Sequence, residues 1–225
     1  MMMRRILFSC FLALVTKYGH SAVHPNAELW IPVLKDKVNS ENAPFSWELY
    51  AAQIDKETCP GVNSPKCWNP KTEFKTAREY GFGLGQLTNT PRYNNFEYVK
   101  TLDDDLADWE FGNRFNAENQ ILALLAMDRV CLFPDSASLV DSQAFMLACY
   151  NGGRGGVISD KLICKNTDGC DPRKWFGHVE NTSNKSRQKW QGYGRSAFEI
   201  NRDYPRDILF YRIKKYQEYR KRNNL

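Results

Sequence analysis

Residues 44–59 read PFSWELYAAQIDKETC, and this stretch decides what kind of domain the chain builds. Trp47, Tyr50, Ile54 and Thr58 recur at helical intervals, Pro44 and Ser46 are start signals, and Cys59-Pro60-Gly61 ends the run, so a helix is expected over 44–59. Within it Trp47, Tyr50, Ile54 and Glu57 step by three, four and three residues, which places a carboxyl on the face carrying aromatic and aliphatic groups. A carboxyl held there is partly desolvated. Desolvation penalises the ionised form and raises the pKa, so the acid stays protonated near neutral pH, as a general acid must. The competing reading of Glu57 is an ordinary surface glutamate in a last helical turn, with Glu48 and Asp55 equally available on the same helix.

Outward from this helix, residues 60–80 are rich in proline, asparagine and charge and read as a surface loop. Residues 81–88 (GFGLGQLT) are too glycine-rich for a helix interior and suit a short strand or turn. A short acidic helix is expected at 102–111 (LDDDLADWEF), a longer apolar one at 116–131 capped by Asn116, and a third at 138–150 that the glycine run Asn151–Gly156 stops. The last element is expected at 204–220, with Asp203 and Pro205 as start signals and Ile208, Leu209, Ile213 and Tyr216 as its apolar stripe. Lys214-Lys215 and Arg220-Lys221-Arg222 read as a solvated face and tail. The fold class that follows is mainly α, one helical domain with glycine-rich loops and at most a small β-sheet.

Composition agrees with a single domain. The chain has 225 residues, 42% hydrophobic and 25% charged, which disfavours disordered, collagen-like and coiled-coil classes. Residues 1–22 place Arg4 and Arg5 before an apolar run too short to span a membrane and then small polar residues, the pattern of a secretory signal cut near Ala22. The expected mature part is residues 23–225, exported to a periplasm or cell envelope. Without Arg4, Arg5 and Lys17, 28 basic residues face 26 acidic ones, a net charge of +2. No nucleic-acid footprint remains in that balance.

Removing Cys10 leaves six cysteines in a chain expected to reach an oxidising compartment, and disulfides are the favoured reading. Cys59/Cys67 and Cys164/Cys170 each bracket a short loop that a local bridge can close, and Cys131 pairs with Cys149 or stays free. Zinc is the rival, but no Cys-x-x-Cys occurs and His178 is the only histidine well inside the domain, so no metal is expected. His-Glu-x-x-His and Gly-Lys-Ser/Thr patterns are absent, Gly81-x-Gly83-x-Gly85 lacks dinucleotide-site spacing, and no cofactor is expected. Carboxylate chemistry is what remains.

Four segments, in order, resemble the successive motifs of the soluble lytic transglycosylase (SLT) domain. They are Ala52–Thr58 (AQIDKET), Gly83–Leu87 (GLGQL), Ala148–Gly153 (ACYNGG) and Tyr204-Pro205 through Tyr211, which together span roughly residues 45–215. The resemblance implies a lysozyme-like fold and cleavage of the bond between N-acetylmuramic acid and N-acetylglucosamine in peptidoglycan, with Glu57 as the catalytic residue. It also implies that Thr58, Gly83, Gln86, Tyr150, Asn151 and Tyr211 bind the saccharide or orient the acid, Gly83 by letting backbone approach the sugar closely. Thr58 stands where the family has Ser, Gly85 where it has Met, and Cys149 where Ala is common, while Asp207 and Ile208 render the last motif's acid and Thr only loosely. These departures bear on glycan-strand preference more than on the reaction. In the implied mechanism Glu57 protonates the glycosidic oxygen and then accepts the proton of the muramic 6-hydroxyl, giving a 1,6-anhydro sugar. A hydrolysing muramidase of goose-type lysozyme kind, in which Asp55, Glu73 or Asp103 assists a water, is the alternative enzyme. An inactive peptidoglycan-binding or assembly protein is the alternative of another class.

Overall fold

The computed structural model describes residues 23–61, 63–189 and 194–225, so the expected leader lies outside them. Helix α1 (Pro25–Ser40), for which the sequence reading had no element, starts at His24, whose Nδ1 accepts the Asn26 N–H. It buries Ala27, Ile31, Leu34 and Val38 at helical spacing. Helix α2 (Trp47–Thr58) falls inside the expected 44–59. One apolar face was expected of it, yet Glu48, Gln53, Asp55 and Thr58 are buried as well as Leu49, Tyr50, Ala51, Ala52 and Ile54. The helix is enclosed on several sides by α1 and by the C-terminal helices.

A small antiparallel sheet follows, β1 (Glu73–Lys75), β2 (Tyr80–Phe82) and β3 (Leu87–Asn89) in that order, with Phe74 opposite Gly81 and Gly81 opposite Thr88. The strand or turn expected at 81–88 is thus the β2–β3 connection. Phe82 and Leu87 join Phe96 and Val99 of α3 (Asn95–Lys100), with Leu106, Trp109 and Leu122, in a second, smaller core. The acidic helix expected at 102–111 does not form. Short 3₁₀ turns occupy Asp104–Leu106 and Phe111–Asn113 instead. Asp103 spends its carboxylate on the Asp105 N–H, and the Trp109 indole N–H donates to the Asn113 carbonyl, side-chain bonds that favour turns over a continuous helix.

Helix α4 (Ala117–Arg129) is capped by Asn116, whose Oδ1 accepts the Asn119 N–H. Helix α5 (Leu139–Gly152) ends at Gly153 with φ +79°, where the glycine run was expected to stop the chain's helical course. A new helix, α6 (Arg154–Lys165), begins at once. The neighbouring glycines serve packing: a Cβ on Gly152 would lie 2.5 Å from the Asn201 side chain, and one on Gly156 2.8 Å from Lys185 Nζ.

The C-terminal helix starts earlier than expected. Ser196 and Glu199 form a reciprocal capping box, so α7 runs Ala197–Asp207 with Pro205 inside it rather than at its start. Pro205 has no N–H for the carbonyl four residues back, and a π-type turn over Ile208–Arg212 follows before α8 (Ile213–Asn223). Buried Ile208 and Ile213 are five residues apart, a step that rotates an α-helix face by about 140°. The wider turn reduces that rotation and keeps both side chains inward. The basic cluster is not simply solvated either, because Lys215 bonds the buried Asp55 and Arg220 reaches Glu48 Oε1 at 2.9 Å.

Disulfides join Cys59–Cys67, Cys131–Cys149 and Cys164–Cys170, which resolves the open choice for Cys131. They suggest an oxidising, exported environment. No described helix is long and apolar enough to cross a membrane. Beneath the 179–182 turn Arg202 is buried, donating to Asp160 Oδ2 at 2.7 Å, to the carbonyls of Glu180 and Thr182, and to Asn201 Oδ1. Arg202→Met strands the Asp160 carboxylate with only Lys185 for company, and we expect a loss of about 3 kcal/mol in unfolding free energy, read by urea denaturation. A loss under about 1 kcal/mol would mean that the network is not what anchors α7 to α6.

Candidate active site

Glu57 lies in the last turn of α2, partly buried, one turn after the wholly buried Gln53 and Ile54. Its Oε1 accepts a hydrogen bond from the Tyr204 hydroxyl of α7. Burial pushes the Glu57 carboxyl up to about 7, against the opposing pull of the Tyr204 hydrogen bond and of the Lys56 and Arg212 charges. At neutral pH the group therefore exists in both protonation states in comparable amounts, which suits an acid that must also act as a base.

Tyr204 is itself held by Tyr150 of α5. The two rings stack with centroids 6.5 Å apart and planes 11° from parallel. The Tyr150 hydroxyl donates to the Gly85 carbonyl at 2.6 Å. Gly85 makes this possible, because a Cβ there would stand 2.7 Å from the Tyr150 oxygen. Burial, then the nearby Glu57 charge, holds both phenols well above the usual tyrosine range, so they remain neutral donors at any physiological pH. The β2–β3 turn, α5, α7 and the end of α2 are thus tied through one line of contacts.

The other side of α2 is clamped by charge. Asp55, wholly buried, accepts from Arg212 and Lys215, and from the Tyr216 hydroxyl at 2.9 Å; Tyr216 in turn accepts the Trp68 indole N–H at 2.7 Å. Arg212 also donates to the Asp55 carbonyl at 3.0 Å and, through Nε, to Asp207 Oδ2 at 2.9 Å, where Lys56 arrives at 2.6 Å. A cation on the last carbonyls of α2 satisfies acceptors that the helix leaves open and opposes its negative end.

The residues expected to serve the saccharide fall into two groups. Tyr150 reaches Glu57's partner Tyr204 by stacking on it, whereas Asn151 bonds Asn201 of α7, whose Nδ2 donates to Asn151 Oδ1 at 3.2 Å. Thr58 does not face outward. It is 1% exposed, its hydroxyl donates to the Ile54 carbonyl at 2.7 Å and accepts the Trp68 N–H at 3.0 Å, so its role is to close the helix end. The space over Gly83 (φ +79°) is taken by the Gln120 side chain, whose Cδ would be 2.4 Å from a Cβ and whose Oε1 accepts the Leu84 N–H at 2.9 Å. Gln86 sits in the left-handed region at φ +46° and turns its amide onto the Gly83 carbonyl at 2.8 Å. Tyr211 is 68% exposed and lines a surface hollow with Pro60, Lys214 and Lys215, in which Glu57 takes no part. The tyrosine at Glu57 is Tyr204, seven residues earlier. It stood in the same quoted motif, but a helix expected to begin at 204 put it at a frayed end rather than on an inward face.

Gln53, Asp128 and Gln120 were also missed. Gln53 and Asp128 share one signal, a polar residue after an apolar helical stretch, as in YAAQ of α2 and ILALLAMD of α4, whereas Gln120 follows Glu118 and Asn119 and carries no such signal. Gln53 Nε2, one turn before Glu57 on the same face of α2, donates to Asp128 Oδ1 at 3.2 Å. The acids considered for holding a water are engaged elsewhere: Asp55 as above, Glu73 by Tyr80 and Arg114, and Asp103 by the Asp105 N–H and Arg129. Among the described residues, Asp55, Cys59 and Cys67 cluster closely enough to bracket a metal, but the two sulfurs are bonded to each other and the carboxylate is saturated. Against known proteins, no family model and no curated sequence matches the chain.

Two outcomes follow from this geometry. Tyr204→Phe removes a donor that favours the ionised acid, so the Glu57 midpoint should rise above 7 by roughly one unit, seen in a carbon-13 titration of the Glu carboxyl. A midpoint that stays put would show that the phenol does not bond the carboxylate. Because the folded-state value of about 7 exceeds the ordinary 4.5, the folded chain keeps a proton that the unfolded chain has released between those values. Wild-type stability must then fall as pH rises through that window, and E57Q should be more stable than wild type at pH 8 while matching it at pH 4. Parallel stability curves across that range would contradict a raised Glu57.

Proposed function

We propose that this protein is a peptidoglycan lytic transglycosylase with a lysozyme-like arrangement, acting in the periplasm or cell envelope on glycan strands. The observation that carries the reading is Glu57 itself: an acid at the partly open end of an otherwise buried helix, raised to about 7 and gripped by the Tyr204 phenol. The order of the four motifs along the chain supports the substrate class, and the lysozyme-like fold belongs to the same reading.

In this reaction Glu57, protonated, gives its proton to the oxygen between muramic acid and glucosamine as that bond breaks. The substrate's N-acetyl group stabilises the positive charge at the anomeric carbon. The Glu57 carboxylate then takes the proton of the 6-hydroxyl as that oxygen closes on the anomeric carbon, so the acid is regenerated and no water is consumed. Tyr204 keeps the carboxyl in one orientation for both transfers. Most glycosidases use a second carboxylate as nucleophile or base. The engagement of Asp55, Glu73 and Asp103 in other bonds favours the one-acid route over delivery of a water.

Incubation of the purified, oxidised protein with peptidoglycan, followed by mass spectrometry, tests this directly. Muropeptides lighter than hydrolytic ones by one water, lacking a reducing muramic end, are expected, and E57Q should lower their release by roughly two orders of magnitude or more. Reducing ends would make the protein a muramidase. No release from the folded protein would favour a binding or assembly role.

A further inference from the structure

Asp128 takes no part in the reaction as written, yet it is a buried carboxyl close enough to Glu57 to feel its charge. It is 1% exposed, on α4, with Gln53 of α2 against it at 0%. The pair makes one hydrogen bond, from Gln53 Nε2 to Asp128 Oδ1 at 3.2 Å. The other oxygen of each group, Gln53 Oε1 and Asp128 Oδ2, is buried without a partner. Two orphaned acceptors in one contact are costly, and a carboxylate among them more so. A single proton on Asp128 Oδ2, donated to Gln53 Oε1, removes both defects at once and closes a two-bonded acid–amide ring.

We propose that Asp128 is a positioning residue that remains a neutral carboxylic acid, sharing its proton with Gln53 so that the floor behind Glu57 is rigid, dry and uncharged. The groups facing it agree with this. From α2 come Glu57 and Tyr50, from α5 Tyr150 and from α7 Tyr204, three neutral phenols and one acid, while Arg129, the next residue along α4, turns to Glu41 and Asp103. Burial, with the Glu57 charge adding to it, holds the Asp128 carboxyl well above the usual aspartate range. The catalytic consequence rests on the reading of Glu57 as the acid. With Asp128 neutral, the proton affinity of Glu57 is set by its own burial and by Tyr204, and no second charge lifts it out of the range where it can act as both acid and base.

Carbon-13 titration of the Asp and Glu carboxyls in the intact protein tests the inference without using catalysis, so its failure is separate from failure of the transglycosylase reading. The Asp128 carboxyl carbon should keep the shift of a protonated acid from pH 4 to pH 8. Asp128→Asn, which retains the shape, one donor and one acceptor, should leave the Glu57 midpoint at about 7. Asp128→Ala, which frees Gln53 and lets solvent in behind the acid, should drop that midpoint toward the ordinary carboxylate range. An Asp128 carbon that titrates as an ordinary aspartate overturns the proposal. So does a fall of roughly one unit or more in Asp128→Asn, because that is the signature of a removed negative charge. An unmoved Glu57 in Asp128→Ala removes the positioning role. If the alanine variant does not fold, the wild-type carbon shift and Asp128→Asn decide the matter between them.

Discussion

A helix covered over most of its surface needs internal partners for its buried polar side chains, and in this protein that requirement falls on α2. Its buried polar side chains each have one: Glu48 the Arg220 guanidinium, Gln53 the Asp128 carboxyl, Asp55 a ring of Arg212, Lys215 and Tyr216, Thr58 the Trp68 backbone. Removing a partner from such a pair leaves a buried group unsatisfied, which costs far more than a surface contact is worth. Most of the partners come from the C-terminal helices. The position of Glu57 is consequently set by residues some 150 positions away in the chain, and the acid's exposure is what remains after the rest of the helix has been covered.

The same economy explains features that look unrelated along the sequence. Gly85 is small because the Tyr150 hydroxyl must reach its carbonyl, and Tyr150 must be there because Tyr204 stacks on it and grips Glu57. A side chain at position 85 would block this bond, and the glycine allows a hydrogen-bonded tether between the small sheet and the helical core. Pro205 and the wide turn after it adjust the C-terminal rod so that Tyr204, Ile208, Ile213 and Tyr216 all face inward, and Arg212 comes to the end of α2. A strictly α-helical course would carry part of this set off the core.

Much of the framework was legible in advance because it depends on local pattern. Three of the central helices, the glycine-rich strand or turn and the two short-loop disulfides follow from periodicity, capping residues and spacing, each a property of neighbours in sequence. The reading failed where local signals competed. The acids of 102–111 preferred side-chain bonds to backbone over a helix, a proline taken as a start lay inside one, and α6 followed a glycine stop without a gap.

Sequence alone determined that the chain is mainly helical, that its cysteines suit an oxidising environment, and that Glu57 shares a face with apolar residues, since spacing and residue chemistry suffice for each. Only the tertiary structure decided which tyrosine meets Glu57, that Thr58 and Gly83 are occupied internally, that Lys215 and Arg220 of the basic cluster are spent on buried acids, and that a second buried carboxyl lies near the first. Apart from those of Thr58, these contacts join residues tens to more than a hundred positions apart, and desolvation, which raises a buried carboxyl's proton affinity, is a property of everything packed around it rather than of the helix that carries it.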